Sequence, residues 1–181
     1  VNAAVCTQIL IDDFDAEVVI NTGIAGSLNA DINIGDLVIS TDLVHHDMNA
    51  VAFGYPVGQI PQMETFSFKS DEALRKLAVQ ACRDVNPDIE VFEGRIASGD
   101  QFVADQGVKD EIVKQFDAYA VEMEGAAIAQ AAYLNNVPFL VVRAISDKAD
   151  GSAEVDYPTF EARAVEHCVK MTPRILNQIQ G

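Results

Sequence analysis

Basic side chains are scarce. Twelve lysines and arginines face 28 aspartates and glutamates, which leaves a formal charge of −16. Phosphate backbones are held by net basic surface, so a nucleic-acid duplex is excluded as a partner. Long apolar runs are missing as well: nothing approaches the roughly 18 apolar residues of a membrane span, and no membrane partner is expected. Only three cysteines occur, Cys6, Cys82 and Cys168, far apart and without a CxxC pair. They read as buried thiols in a reducing compartment, and the cytoplasm is the expected location. What is plentiful is apolar side chains, 49% of 181 residues. That fraction excludes a disordered tail. The length suits one domain, residues 1–181, with enough core to need no disulfide or metal staple.

The apolar pattern alternates between helix and strand. Ala3, Ala4, Ile9, Leu10 and Phe14 share a helical face close to the first residue. Residues 17–22 read as a buried strand that leads into Gly23-Ile24-Ala25-Gly26, and residues 36–40 as a second strand. Residues 45–68 carry glycine, proline and aromatics without a period, the mark of a long functional loop. A helix starts near Ser70 and Asp71 and stops at Asn86-Pro87. Then come a strand over 90–97, a polar helix over 105–116, a short strand over 118–121 and an alanine-rich helix to Asn135. The most apolar strand, 138–145, ends at Ser146-Asp147, and a last helix over 159–178 has a kink or break expected at Pro173. Alternating helices and doubly apolar strands predict an α/β fold whose sheet is parallel or mixed and covered on both sides by helices.

Ligands of such sheets bind at the carboxyl ends of strands. The chain's distinctive polar groups fall there: Gly23 to Gly26, Ser98 to Phe102, Glu122 to Glu124, and Arg143 to Asp147. The GxxG is neither a dinucleotide fingerprint nor a phosphate loop. It marks either an ordinary turn or a close backbone approach to a ligand. Glu122-Met123-Glu124 opens a helix, where acids are favoured by the macrodipole, or supplies a carboxylate for a vicinal diol with an apolar methionine face beside it. Asp147, at the end of a buried strand, is either a cap or a general acid, and Arg143 could pair with one of the acids. His45-His46-Asp47 is rejected as a metal cluster, since adjacent strand residues point to opposite faces. Residues 147–156 lack calcium-loop spacing. No metal and no cofactor is expected.

Asn21-Thr22-Gly23-Ile24-Ala25-Gly26, Phe53-Gly54-Tyr55, Ser98-Gly99-Asp100, Val121-Glu122-Met123-Glu124 and Arg143-Ala144-Ile145-Ser146-Asp147 stand in an order that resembles the nucleoside phosphorylase/hydrolase superfamily. Within it, the chain is most similar to the methylthioadenosine/adenosylhomocysteine nucleosidase family. The resemblance implies a three-layer α/β sandwich with a central mixed, mostly parallel twisted sheet flanked by helices. It implies catalytic roles for Asp147, as the acid on the purine, and Glu124, on the ribose hydroxyls. It implies a substrate-binding set of Ile24, Ala25, Gly26, Phe102, Val103, Met123, Glu122, Ser146, Arg143 and Tyr157. Phe53 and Pro61 resemble residues lent to a neighbouring subunit, which implies a homodimer. Ile24 departs from a serine common at its position, which removes any hydroxyl role there.

The substrate implied is a 5′-alkylthio adenine nucleoside cleaved at its N-glycosidic bond. The alternatives are a phosphate-dependent purine nucleoside phosphorylase and a hydrolase for futalosine or 5′-deoxyadenosine. Phosphorylases of this pattern carry an arginine just before the GxxG; here that stretch is Asn21-Thr22. Water is therefore the expected nucleophile. The family also has a first strand followed by a segment bearing a water-activating glutamate, and this sequence starts after it. The expectation is a longer native polypeptide, a sheet open at one edge, and a 181-residue piece that is inactive and poorly soluble alone.

Overall fold

A strand buried along its whole length needs a neighbour on each side, and β2 (Leu37–His45) is such a strand: of its nine residues only Thr41 and His45 are partly exposed. In the computed structural model, which describes residues 1–148 and 157–179 and no side chains between 157 and 164, β2 serves three partners. Leu37 to His45 run parallel to β4 (Val91–Ser98). On the other side Leu37 to Ile39 pair antiparallel with β6 (Phe139–Asp147), and Asp42 and Leu43 with the two-residue β3 (Phe68–Lys69). β4 continues parallel to β5 (Ala118–Glu122), β5 antiparallel to β1 (Val19–Ser27), and β1 parallel to β6. The sheet is therefore a closed, barrel-like ring, β2-β4-β5-β1-β6 and back to β2.

The two-residue β3 pairs only with β2 and keeps one free edge. One expectation is corrected: the fold is α/β with a mixed sheet, as read from the pattern, but the other strands close into a ring and are not an open layer between two helical layers. The physical reason lies in register irregularities at Ala25/Gly26, Ser40/Leu43 and Arg95/Ile96. Such irregularities bend a strand and raise its twist, and that curls the sheet until β2 and β6 meet.

Helices cover the ring. α1 (Asn2–Phe14) lies on α4 (Gly125–Leu134). α4 packs Ala126, Ile128, Ala129 and Ala132 against a cluster that includes Leu43, Ile96 and Val141. α2 (Glu72–Val85) and α5 (Tyr157–Ile179) enclose a second cluster with Leu37, Ile39, Leu140 and Val142. α3 (Gln106–Phe116) sends Ile112 and Phe116 into a third with Val44, Ala97 and Val121. The Asp71 side chain accepts from the Leu74 amide, so α2 is capped by Asp71 rather than Ser70. α5 runs through Pro173, so of the kink or break expected there no break occurs. Cys82 and Cys168 are buried, and burial pushes the Cys82 thiol up to about 12. Cys6 is exposed on α1, contrary to expectation, because only Thr7 of that helix is buried. The shared apolar face leaves Ile9, Leu10 and Phe14 in solvent.

Candidate functional site

Three strand ends carry the polar groups to one place. β6 is buried from Phe139 to Ser146, and Asp147 is the first residue to emerge. Its carboxylate is held at both oxygens: Ser146 Oγ donates to Oδ1 at 3.1 Å, and Lys109 Nζ to Oδ2 at 2.8 Å. β1 runs parallel beside it, Gly23 opposite Arg143 and, after the register slip at Ala25/Gly26, Gly26 opposite Asp147. A Cβ on Gly26 would stand 3.0 and 3.1 Å from the Asp147 oxygens, and one on Gly23 would stand 3.3 Å from Arg143 Nη1. The glycines of the GxxG therefore make room for two charged side chains of the next strand. That is a third use, beside the turn and the approach to a ligand.

The two glutamates of the Glu-Met-Glu segment separate. Glu122, the last residue of β5, points inward and is 7% exposed. Its carboxylate accepts from the amides of Glu124 at 3.1 Å and Gly125 at 2.8 Å, so it caps α4 from inside. It also accepts from Arg143 Nη2 and Nε and from Ser98 Oγ. Ser98 Oγ in turn accepts from the Ala126 amide at 2.7 Å. Arg143, 2% exposed, spends its remaining contact on the Val142 carbonyl at 3.2 Å. This is a closed network in which every charge has a partner. Gly125 is required beside it, since a Cβ there would meet Leu43 Cδ2 at 2.5 Å. Glu124 makes no side-chain capping bond; its carboxylate is half exposed, with one oxygen 4.0 Å from Arg143 Nη2. Of the two acids, it is the one free to meet a ligand.

Gly26, Phe102, Val103, Glu122, Met123 and Asp147 line one small cavity. Met123 and Phe102 are both well exposed, Phe102 at 76%. Ala25 is buried, and its carbonyl accepts from Ser146 Oγ at 3.3 Å. Ile24 packs away from the cavity, against the apolar cluster under α2 and α5. Phe53 lies in the 3-10 turn Val51–Phe53 and is 83% exposed; neither it nor Pro61 lines the Asp147 cavity. Tyr157 begins α5, and its side chain lies outside the described residues.

A larger cavity of about 540 Å³ lies on the other side of Met123, between α1 and α4, with His45, Asp47 and Ser98 in its wall. Next to it, His46 is buried, and desolvation pulls its imidazole below the ordinary range, with Asp47 and Glu122 opposing. No group of three or more metal-ligating side chains occurs among the described residues. No helix among them is long and apolar enough to cross a membrane.

Two participants were not visible in the sequence reading. Ser98 stands out in the sequence only as the start of a polar strand exit, yet its hydroxyl joins Glu122 to α4. Lys109 was passed over as one lysine of a polar helix. Its signal was position: Lys109, Ile112 and Phe116 fall on one face of α3, and all three are buried.

The arrangement offers an acid held in place, a free carboxylate about a helix mouth, and an apolar wall between them. Comparison with known proteins is consistent with this. The phosphorylase superfamily model matches residues 1–177. The 5′-methylthioadenosine/S-adenosylhomocysteine nucleosidase of Anoxybacillus flavithermus is 44% identical over 99% of this chain and 77% of its own. The crystal structure of the corresponding Campylobacter jejuni nucleosidase superposes with a TM-score of 0.92 at 35% identity, over 98% of this chain and 76% of that one. The futalosine hydrolase of Helicobacter pylori superposes with a TM-score of 0.89, also at 35% identity, over 97% and 74%.

Proposed function

The chain belongs to the phosphorylase superfamily and, within it, to the 5′-methylthioadenosine/S-adenosylhomocysteine nucleosidases, and from that premise we propose that it hydrolyses the N-glycosidic bond of these two nucleosides, with Asp147 as general acid and Glu124 on the ribose diol. The observation that carries the reading is the convergence of Gly26, Phe102, Met123 and Asp147 on one cavity, with the half-exposed carboxylate of Glu124, 4.0 Å from Arg143, on the residue next to Met123.

Adenine is a poor leaving group as an anion, so its N7 must gain a proton as the C1′–N9 bond breaks. Asp147 supplies it, and a positioned acid contributes typically 10²–10⁴-fold. The sugar passes through an oxocarbenium-like centre, which ionised carboxylates stabilise; Glu124 binds the 2′- and 3′-hydroxyls and adds negative charge near C1′. Met123 packs on the ribose, Phe102 stacks on the purine, and the Val103 backbone meets the base edge. Glu122 and Arg143 act from behind, fixing the start of α4 and hence Glu124. Resemblance to the family assigns Tyr157 to the 5′-alkylthio group. Phe53, exposed on its own subunit, and the half-buried Pro61 fit a loop lent to a second copy in a homodimer.

Water rather than phosphate is the nucleophile. Arg143 is tied to Glu122, and the described lining of the cavity holds no arginine or lysine to clamp a dianion. The location consistent with this chemistry and with free, unpaired cysteines is the cytoplasm.

The test is adenine release from methylthioadenosine by the purified native polypeptide that carries these 181 residues, with and without inorganic phosphate. Equal rates, with methylthioribose as product, are expected. A strict phosphate requirement with a ribose 1-phosphate product would overturn the reading in favour of a phosphorylase. Futalosine and 5′-deoxyadenosine belong in the same assay, since the futalosine hydrolase superposes nearly as well; preference for either would reassign the substrate.

The Gly26 geometry gives a second expected outcome. Gly26→Ala pushes a methyl onto the Asp147 carboxylate, which must shift by a few tenths of an ångström. Misplacing a reacting group by about 1 Å costs on the order of 10²-fold, so kcat is expected to fall by about tenfold. Steady-state kinetics beside a melting curve checks it; unchanged kcat in the folded variant would mean that the carboxylate position is not critical.

A further inference from the structure

A lysine buried on α3 has no part in the reaction as described so far. Lys109 is 4% exposed, and its Nζ donates to Asp147 Oδ2 at 2.8 Å and to the Lys148 carbonyl at 3.1 Å. Lysine is almost never this buried unless paired, because desolvating an ammonium is costly. The helix does not need it: Asp105 already caps α3, accepting from the Val108 amide at 3.0 Å. An apolar residue in line with Ile112 and Phe116 would fill the same space without that penalty. The ammonium is therefore retained at some cost to stability, and what it touches is the acid.

We propose that Lys109 is a positioning residue for the general acid: it fixes the Asp147 carboxyl group and stabilises the carboxylate formed as the proton leaves for the purine. The inference rests on the reading of Asp147 as the acid. The step balances as follows. The C1′–N9 electron pair stays with the purine, and the Asp147 proton moves to N7. The water oxygen bonds to C1′ and releases one proton. One proton returns to Asp147 before the next turnover, and Lys109 keeps its charge throughout. Negative charge thus grows on Asp147 in the transition state, beside a fixed cation in a poorly hydrated place. An interaction that strengthens in the transition state raises kcat rather than lowering KM. Ser146 Oγ on Oδ1 and Lys109 Nζ on Oδ2 together set the plane of the carboxyl group.

The test uses two substrates: methylthioadenosine, and a 4-nitrophenyl riboside carrying the same 5-methylthio group, whose leaving group departs as a stable anion and needs no acid. Lys109→Met keeps length and removes charge; Lys109→Arg keeps charge; Lys109→Gln stands in should the methionine variant fail to fold. With methylthioadenosine, Lys109→Met is expected to lower kcat by about 10- to 100-fold, a part of what the acid contributes, with KM within about twofold. With the nitrophenyl riboside it is expected to lose less than threefold. Lys109→Arg is expected to recover most of the lost kcat. Equal losses on both substrates would mean a structural role only, and an undiminished kcat on methylthioadenosine would mean no role; either overturns the proposal. Asp147→Asn in the same assays separates the layers. If it cleaves methylthioadenosine like the wild type, the acid assignment itself fails. If it is impaired while Lys109→Met is not, only the role of Lys109 fails.

Discussion

Asp147→Asn is expected to lower kcat for adenine release by about 10²–10⁴-fold and to leave nucleoside affinity nearly unchanged. The amide is isosteric, so the packing at the end of β6 survives. Its single oxygen can keep the bond from Lys109 while its NH2 group faces Ser146, whose hydroxyl can turn to accept, but it has no proton acidic enough to give to N7. The loss falls in kcat because proton donation exists only on the way to the transition state. Glu124→Gln should behave differently, raising KM as well, because a diol contact is made in the ground state too. Rapid-quench or steady-state kinetics with methylthioadenosine and a binding titration of the Asp147 variant measure both terms. Wild-type turnover in Asp147→Asn would remove Asp147 from the mechanism.

The second large effect is on stability. Glu122→Leu leaves Arg143 buried at 2% exposure with only the half-exposed Glu124 carboxylate, 4.0 Å away, and the amides of Glu124 and Gly125 lose their acceptor. Removing one partner of a buried ion pair costs about 3–5 kcal/mol. For a domain of this size that corresponds to a fall of roughly 6–20 °C in Tm. The double variant Glu122→Leu, Arg143→Met should regain a large share, since a buried pair replaced by apolar side chains is often neutral. Thermal melts of the single and double variants decide it: a single variant that melts with the wild type would show that the network carries no stability.

Much of the fold was legible because it is written locally. The run from Pro138 to Ile145 could only be a buried strand, and Asp71 before an amphipathic stretch could only open a helix. The closure of the sheet was not legible. It depends on Leu37 to Ile39 finding Ala144 to Val142 across a hundred residues, and no period within β2 announces a second partner. The site shows the same divide. The sequence located Asp147, Glu124 and the glycines at strand ends, but the residue pattern alone did not separate Glu122 from Glu124; only the resemblance gave Glu124 the ribose. They are the same residue type two positions apart; what separates them is that one still belongs to the strand and faces Arg143, while the other follows the turn. Likewise the GxxG announced that side chains must be absent, without saying that the space serves Arg143 and Asp147. Lys109 was missed because a charged residue on an apolar stripe looks like an imperfect pattern until its partner from β6 is seen.

The alignment of β1 with β6 has a consequence for how this chain can vary. Gly23 faces Arg143 and, after a one-residue slip of register at Ala25/Gly26, Gly26 faces Asp147 along the same parallel pair of strands. A one-residue insertion or deletion in β1 before Gly23 would shift both glycines at once and drive side chains into two charged groups with different partners, Glu122 for Arg143 and Lys109 for Asp147. Substitutions elsewhere on these strands can be absorbed singly, but the ladder is inherited as a block, and length changes are confined to the loops that flank it.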